Sequence, residues 1–87
     1  MEVKTIAEIQ FSIHAVEMLK ERNISEEWVE VTIRNPDRVE SGLDGNDHFI
    51  KPILEYEGRF LRIVVNKQIN PNRAVTVFFD RRLGRKT

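Results

Sequence analysis

Two histidines, His14 and His48, and fourteen lysines and arginines are the side chains of widest chemical reach in this 87-residue chain. Cleavage of RNA without a metal needs a base for the ribose 2′-hydroxyl, an acid for the leaving 5′-oxygen and cations for the charged phosphorane. Histidine suits the proton transfer because an ordinary imidazole titrates near neutrality. His14 falls in the first turn of an expected helix, where unpaired backbone N–H groups also attract phosphate. The alternative is a helix-start histidine that hydrogen-bonds a neighbouring carbonyl. His48 reads as a strand residue without a role.

Arg62 is the candidate for stabilising the phosphorane, since a guanidinium makes bidentate contacts to phosphate oxygens. Pairing with Asp80 across the sheet is its alternative. Arg22 follows His14 by eight residues, a separation of about 12 Å along a helix axis and about 80° around it. It suits a neighbouring phosphate, or else it is a cation favourably placed at a helix C-terminus. Thr76 has a hydroxyl to orient a phosphate, and threonine is equally a good strand residue. Lys51, Arg81 and Arg82 supply general attraction to RNA or are solvated charge.

Other chemistries lack their signatures. There is no cysteine, and the histidines have no close spacing, so neither a zinc site nor any other metal centre is expected. No glycine-rich phosphate loop and no serine in a nucleophile elbow is present, and no cofactor is expected. The net charge is zero, yet residues 1–47 carry five Lys and Arg against eleven Asp and Glu, while residues 48–87 carry nine against three. Such asymmetry points to an anion-binding face, with RNA as the natural partner, or to pairing of the two halves within the fold or across a homodimer.

The elements that must carry these residues follow from periodicity. A chain this short makes one domain, 1–87. Its apolar runs, such as Ile63-Val64-Val65, are far too short to span a bilayer, and its N-terminus lacks the order of a signal peptide. A cytoplasmic protein with no membrane partner is expected. Ile6, Ile9 and Phe11 suggest a short strand or arm. Ser12 then caps a helix to about Arg22 with Ala15, Val16, Met18 and Leu19 in one stripe. Asn23 ends it. Ser25 caps a second helix whose inward face is Trp28, Val29, Thr32 and Ile33, and Asn35-Pro36-Asp37 stops it.

The second half reads as strands. Val39–Ser41 is short, His48–Tyr56 is extended, Glu57-Gly58 is a tight turn, and Arg59–Asn66 and Ala74–Arg81 are the strongest strands, before a short basic tail at 82–87. The expected fold is α+β, with two N-terminal helices on one face of a three- to four-stranded antiparallel sheet. Alternation sends Leu61, Ile63, Val65, Val75, Val77 and Phe79 to the helices. It sends Arg62, Thr76, Phe78 and Asp80 to an open opposite surface, where Phe60 and Phe78 offer faces for base stacking or for packing a dimer.

Two stretches also carry a family likeness. The run His14–Ser25 followed by Val29, Ile33 and Asn35-Pro36-Asp37, together with Gly58–Val65 and Val75–Arg82, resembles the prokaryotic family catalogued as domain of unknown function 4258. The resemblance implies kinship with RelE-like and barnase-like ribonuclease folds, which include many toxins encoded beside a small neutralising antitoxin. It implies a site made of a first-helix histidine, basic residues on helix and sheet, and a hydroxyl on the last strand, which here are His14, Arg22, Arg62 and Thr76. The sequence departs from ribosome-dependent toxins of that group in having no tyrosine near its C-terminus, since its single tyrosine is Tyr56.

The expected function is therefore that of a small metal-independent ribonuclease-like protein, the toxin-type member of a pair. The alternative is a non-catalytic RNA-binding or protein-interaction domain of the same fold. Geometry separates them. His14 and Arg62 opening onto one groove would favour the enzyme, and His14 buried against the core would favour the binding module.

Overall fold

A computed structural model describes residues 4–83. Residues 84–87 of the basic tail lie outside the described residues. The elements run β1 (Lys4–Ile6), β2 (Ile9–Phe11), α1 (Ile13–Glu21), α2 (Glu26–Arg34), β3 (Arg38–Ser41), β4 (Asp47–Ile53), a 3-10 turn (Leu54–Tyr56), β5 (Arg59–Asn66) and β6 (Arg73–Asp80).

Both helices form where the spacing of apolar residues places them. Ser12 accepts a hydrogen bond from the Ala15 N–H at 3.0 Å, and Ser25 accepts one from the Glu27 N–H at 3.0 Å, so each helix begins on a satisfied donor. Glu26 and Glu27 lie in the first turn of α2, where the helix dipole favours negative charge. Asn23, at φ 54°, takes the left-handed conformation that ends α1, and Ile24 folds back into the core. Ala15 and Leu19 from α1, and Val29 and Thr32 from α2, are the buried positions.

The sheet corrects the expectation. It has six strands in the order β1-β2-β6-β5-β4-β3, and it is mixed, because β2 runs parallel to β6 through Gln10↔Arg73 and Phe11↔Ala74. The antiparallel run β6-β5-β4-β3 is only one side of it, ending at the β3 edge, and a three- to four-stranded antiparallel sheet does not describe the whole. Two causes account for the extra strands. The β1–β2 hairpin turns on Ala7 and Glu8, both at positive φ (53° and 69°), residues that carry none of the Asn-Gly or Asp-Gly chemistry by which such turns are read from sequence. The parallel pairing is a contact between segments about 60 residues apart, which local periodicity does not encode.

The core lies between the helices and one face of the sheet. Phe11, Ala15, Leu19, Val29, Leu61, Ile63, Val65, Ala74 and Val77 form a single buried cluster. A register shift at Val64/Val65 places Ala74 opposite Val65 and leaves Val75 without a partner, so Ala74 takes the core position expected of Val75. On the other face Arg62 stands opposite Phe78, Val64 opposite Thr76, and Phe60 opposite Asp80, as alternation requires. That face is not the open cationic surface expected: Ile50, Val64, Arg62 and Asp80 are all buried in it.

Candidate functional site

The free part of β6 builds the site. Because β2 pairs only with the first residues of β6, the outer edge of the strand beyond Ala74 is left to α1. His14, Met18 and Arg22 follow one another at steps of four residues along that helix and its end, and so share a face. Met18 meets β6 through its sulfur, which accepts a hydrogen bond from Thr76 Oγ1 at 3.1 Å. Arg22 donates from Nη1 to the Val77 carbonyl at 3.0 Å.

The opposite wall comes from the connection between β4 and β5. The 3-10 turn ends at Glu57 (φ 61°) and Gly58 (φ 70°), which reverse the chain into β5 and set Tyr56 beside Arg59. The guanidinium carbon of Arg59 lies 4.9 Å from the Tyr56 ring centroid. Trp28 of α2 stacks on Tyr56 at 5.6 Å, and Phe79 tilts against it at 4.8 Å, so the aromatic cluster ties the turn to both α2 and β6. Among the described residues the Arg59 Nε is buried without a hydrogen-bond partner, while its Nη2 donates to Glu57 Oε1 at 3.4 Å.

Between these walls opens a cleft of about 990 Å³. Met18 and Arg22 line one side, Tyr56 and Arg59 the other, and Thr76, Phe78, Phe79, Asp80, Arg81 and Leu83 the floor and far end. Of its charged residues three are arginines and one is an aspartate. The aspartate is already neutralised. Asp80 Oδ1 accepts from the Arg82 N–H at 3.0 Å and from Arg82 Nε at 3.1 Å, while Oδ2 accepts from Arg82 Nη2 at 3.2 Å and from Arg62 Nε at 2.9 Å. Hydrogen bonds from the Arg82 side chain, with the Arg82 backbone N–H and the Arg62 charge behind them, hold its carboxyl down at about 2 against an ordinary 3.8. The same contact raises Arg82.

The expected catalytic residues divide. Arg22 and Thr76 line the cleft. His14 is exposed at the far end of α1, outside the cleft lining. Arg62 is only 8% exposed and stands behind Asp80, with Nη1 donating to His48 Nδ1 at 2.8 Å and lying 3.8 Å from Glu40. His14 and Arg62 therefore do not open onto one groove. His14 is not buried against the core either. His48, read as a strand residue without a role, is the second ligand of the Arg62 fork, and its Nε2 faces Asp44 at 3.3 Å.

Of the residues expected to attract RNA, Arg81 lines the cleft, Arg82 clamps Asp80, and Lys51 donates to the Asn35 carbonyl at 2.9 Å, capping the C-terminus of α2. Part of the charge asymmetry is absorbed within the fold, as in Lys67 to Asp47 at 2.7 Å. Sequence reasoning missed Tyr56 and Arg59. The signal for them was the Glu57-Gly58 turn, which makes residues on its two sides neighbours.

The family model of a domain of unknown function, DUF4258, matches residues 11–79. The chain belongs to the DUF4258 family. No curated protein and no solved structure matches it. The match takes in every strand and helix of this DUF4258 domain except β1, the first two residues of β2 and the last residue of β6, and it covers the cleft up to Phe79. Among the described residues no three His, Cys, Asp or Glu side chains gather into a group that would hold a metal ion, and no helix is long and apolar enough to cross a membrane.

Proposed function

We propose that this DUF4258 domain binds RNA in the three-arginine cleft and acts as a small metal-independent ribonuclease, the toxin-type member of a two-protein module in the cytoplasm. The observation that carries the reading is the convergence of Arg22, Arg59 and Arg81 around one open cleft that also holds the Tyr56 phenol. Guanidinium groups bind phosphate oxygens and stabilise the extra charge of a phosphorane. The ribose 2′-hydroxyl gives its proton to solvent water and attacks phosphorus, the O2′–P bond forms and the P–O5′ bond breaks, and the Tyr56 phenol supplies the proton to O5′ and recovers one from water. His14, further along the same face of α1, would meet a flanking phosphate of the strand leaving the cleft. The kinship with ribonuclease toxins implied by the sequence belongs to this proposal, as does a small acidic antitoxin-like partner that covers the arginines.

A second reading, RNA binding without cleavage, is favoured by the position of His14 outside the cleft lining. One experiment separates the two. The purified protein is incubated with single-stranded RNA in the presence of a chelator, and the products are examined for 2′,3′-cyclic phosphate ends, alongside growth on induced expression. Cleavage lost in Tyr56→Phe supports the first reading. Salt-sensitive binding with neither cleavage nor growth arrest supports the second, and absence of binding rejects both.

A further inference from the structure

Taking the cleft as an RNA site, we infer that it prefers bases whose major-groove edge presents acceptors alone, uracil through O4 and guanine through O6 and N7, over those that present an amino group on that edge, cytosine and adenine. The inference comes from counting what the cleft has left to offer. Arg22, Arg59 and Arg81 are donors with no acceptor capacity. Among the described residues that line the cleft the one charged acceptor is Asp80, and a carboxylate has about four lone-pair positions; Glu57, outside the lining, is held by Arg59 Nη2 at 3.4 Å.

All four of those positions are filled. The Arg82 N–H and Nε occupy Oδ1, and Arg82 Nη2 and Arg62 Nε occupy Oδ2. The buried Arg62 cannot swing away, because its fork is fixed on the other side by His48 Nδ1 at 2.8 Å. The Val77 carbonyl already accepts one bond, from Arg22. What remains to receive an amino group is neutral: main-chain carbonyls of the lining and the hydroxyls of Tyr56 and Thr76, the second of which is turned toward Met18. Hydrogen bonds to neutral acceptors are about half as strong as those to ionised ones. Carbonyl edges of uracil or guanine find charged donors instead, the pairing that arginine makes with guanine in nucleic-acid grooves.

Uracil and cytosine provide the clean comparison, since at one ring position the first carries a carbonyl oxygen and the second an amino group. The experiment measures binding of the full chain to 2′-O-methyl oligo(U) and oligo(C) of equal length by fluorescence anisotropy. The methyl group removes the attacking hydroxyl, so cleavage does not intrude. Oligo(U) is expected to bind about fivefold tighter, the effect of one hydrogen bond. In Arg82→Ala, two of the four bonds to Asp80 disappear and the carboxylate becomes available, so the preference should shrink toward parity. Because the Arg82 side chain is 81% exposed, the variant is expected to fold, which circular dichroism verifies.

Equal affinity for the two oligomers, with a steep salt dependence, overturns the preference and leaves the RNA reading standing. A preference for oligo(C) does the same. A preference for oligo(U) that Arg82→Ala leaves untouched overturns the assignment to Asp80. If neither oligomer binds, the RNA reading beneath the inference fails as well.

Discussion

Arg62 Nε lies 2.9 Å from Asp80 Oδ2, with both side chains buried, and the same carboxylate reaches out to Arg82, whose side chain is almost fully exposed. This bridge links the interior of the sheet to the rim of the cleft. An arginine that the sequence offers either as a phosphate ligand or as a partner of Asp80 thus takes the second role; Arg22, Arg81 and Arg59, whose Nη2 also lies 3.4 Å from Glu57 Oε1, are the cations that line the cleft.

Arg62→Leu should lower stability, because Asp80 then remains buried with only its exposed partner. Removing one member of a buried pair costs several kcal/mol, and with Arg82 still in place the expected loss is roughly 2 kcal/mol. For a domain of this size that corresponds to a melting temperature lower by roughly 10 °C, read by thermal denaturation. An unchanged melting temperature would show that the pair contributes nothing to the fold.

Acid sensitivity follows from Asp80. Its carboxyl is held at about 2, below the ordinary 3.8, chiefly by hydrogen bonds from Arg82 and then by Arg62. The folded state therefore favours the ionised form more than the unfolded state does. The resulting stabilisation is complete above about pH 4 and is lost as pH falls toward about 2. Urea midpoints measured across that window should fall more steeply for the wild type than for Asp80→Asn, and parallel curves would contradict the assignment.

The His48 ring has a fixed tautomer. Arginine has no acceptor, so the 2.8 Å contact from Arg62 Nη1 requires an unprotonated His48 Nδ1 and leaves the hydrogen on Nε2, facing Asp44. Long-range proton–nitrogen spectra should show the Nε2–H form. Gly42 makes room for it, since a Cβ there would stand 2.5 Å from His48 Nε2 and 2.5 Å from Asp44 Oδ1. In Gly42→Ala the ring is expected to be displaced and the tautomer signature to become mixed.

RNA affinity should depend on the cleft arginines and not on basic residues at large. Alanine in place of Arg22, Arg59 or Arg81 is expected to weaken single-stranded RNA binding and to reduce the slope of log affinity against log salt by about 0.7 per lost phosphate contact. Lys51→Ala, which removes a cap on the Asn35 carbonyl away from the cleft, should leave the slope unchanged. A slope that falls equally in all four variants would indicate diffuse attraction.

Tyr56→Phe keeps the ring against Trp28 and removes only the phenol oxygen. Cleavage should drop about a hundredfold, the usual contribution of a positioned acid, while affinity for RNA stays within about twofold, as expected where little binding rests on one neutral hydroxyl. Trp28 is the chain's single tryptophan, so its emission should respond to RNA in both proteins. Full activity in Tyr56→Phe would remove the phenol from the chemistry.

How much of this was legible depends on the range over which each residue acts. Ser12, Ala15 and Leu19, or Ser25, Val29 and Thr32, reveal their helices because capping and the apolar stripe operate within a few positions. Leu61, Ile63, Val65 and Val77 reveal the core face because side chains alternate along a strand. Val75 misleads because a one-residue register shift exchanges its place with Ala74. Of the residues the sequence puts forward for RNA, Arg22, Thr76, Phe78 and Arg81 line the cleft. Arg62 and His48 share the outer face by parity, yet parity names the side of a sheet and not the partner waiting there.

The sequence by itself determined two capped helices, the strands β5 and β6 and an uneven distribution of charge, since these rest on propensity, periodicity and composition. Only the tertiary structure decided that the sheet has six strands with a parallel pair, that Arg62 turns inward to Asp80 and His48, and that Arg22, Tyr56, Arg59 and Arg81 meet in one cleft. Those outcomes depend on which distant segments become neighbours. That choice is made by packing against a shared core, and no short window of the chain contains it.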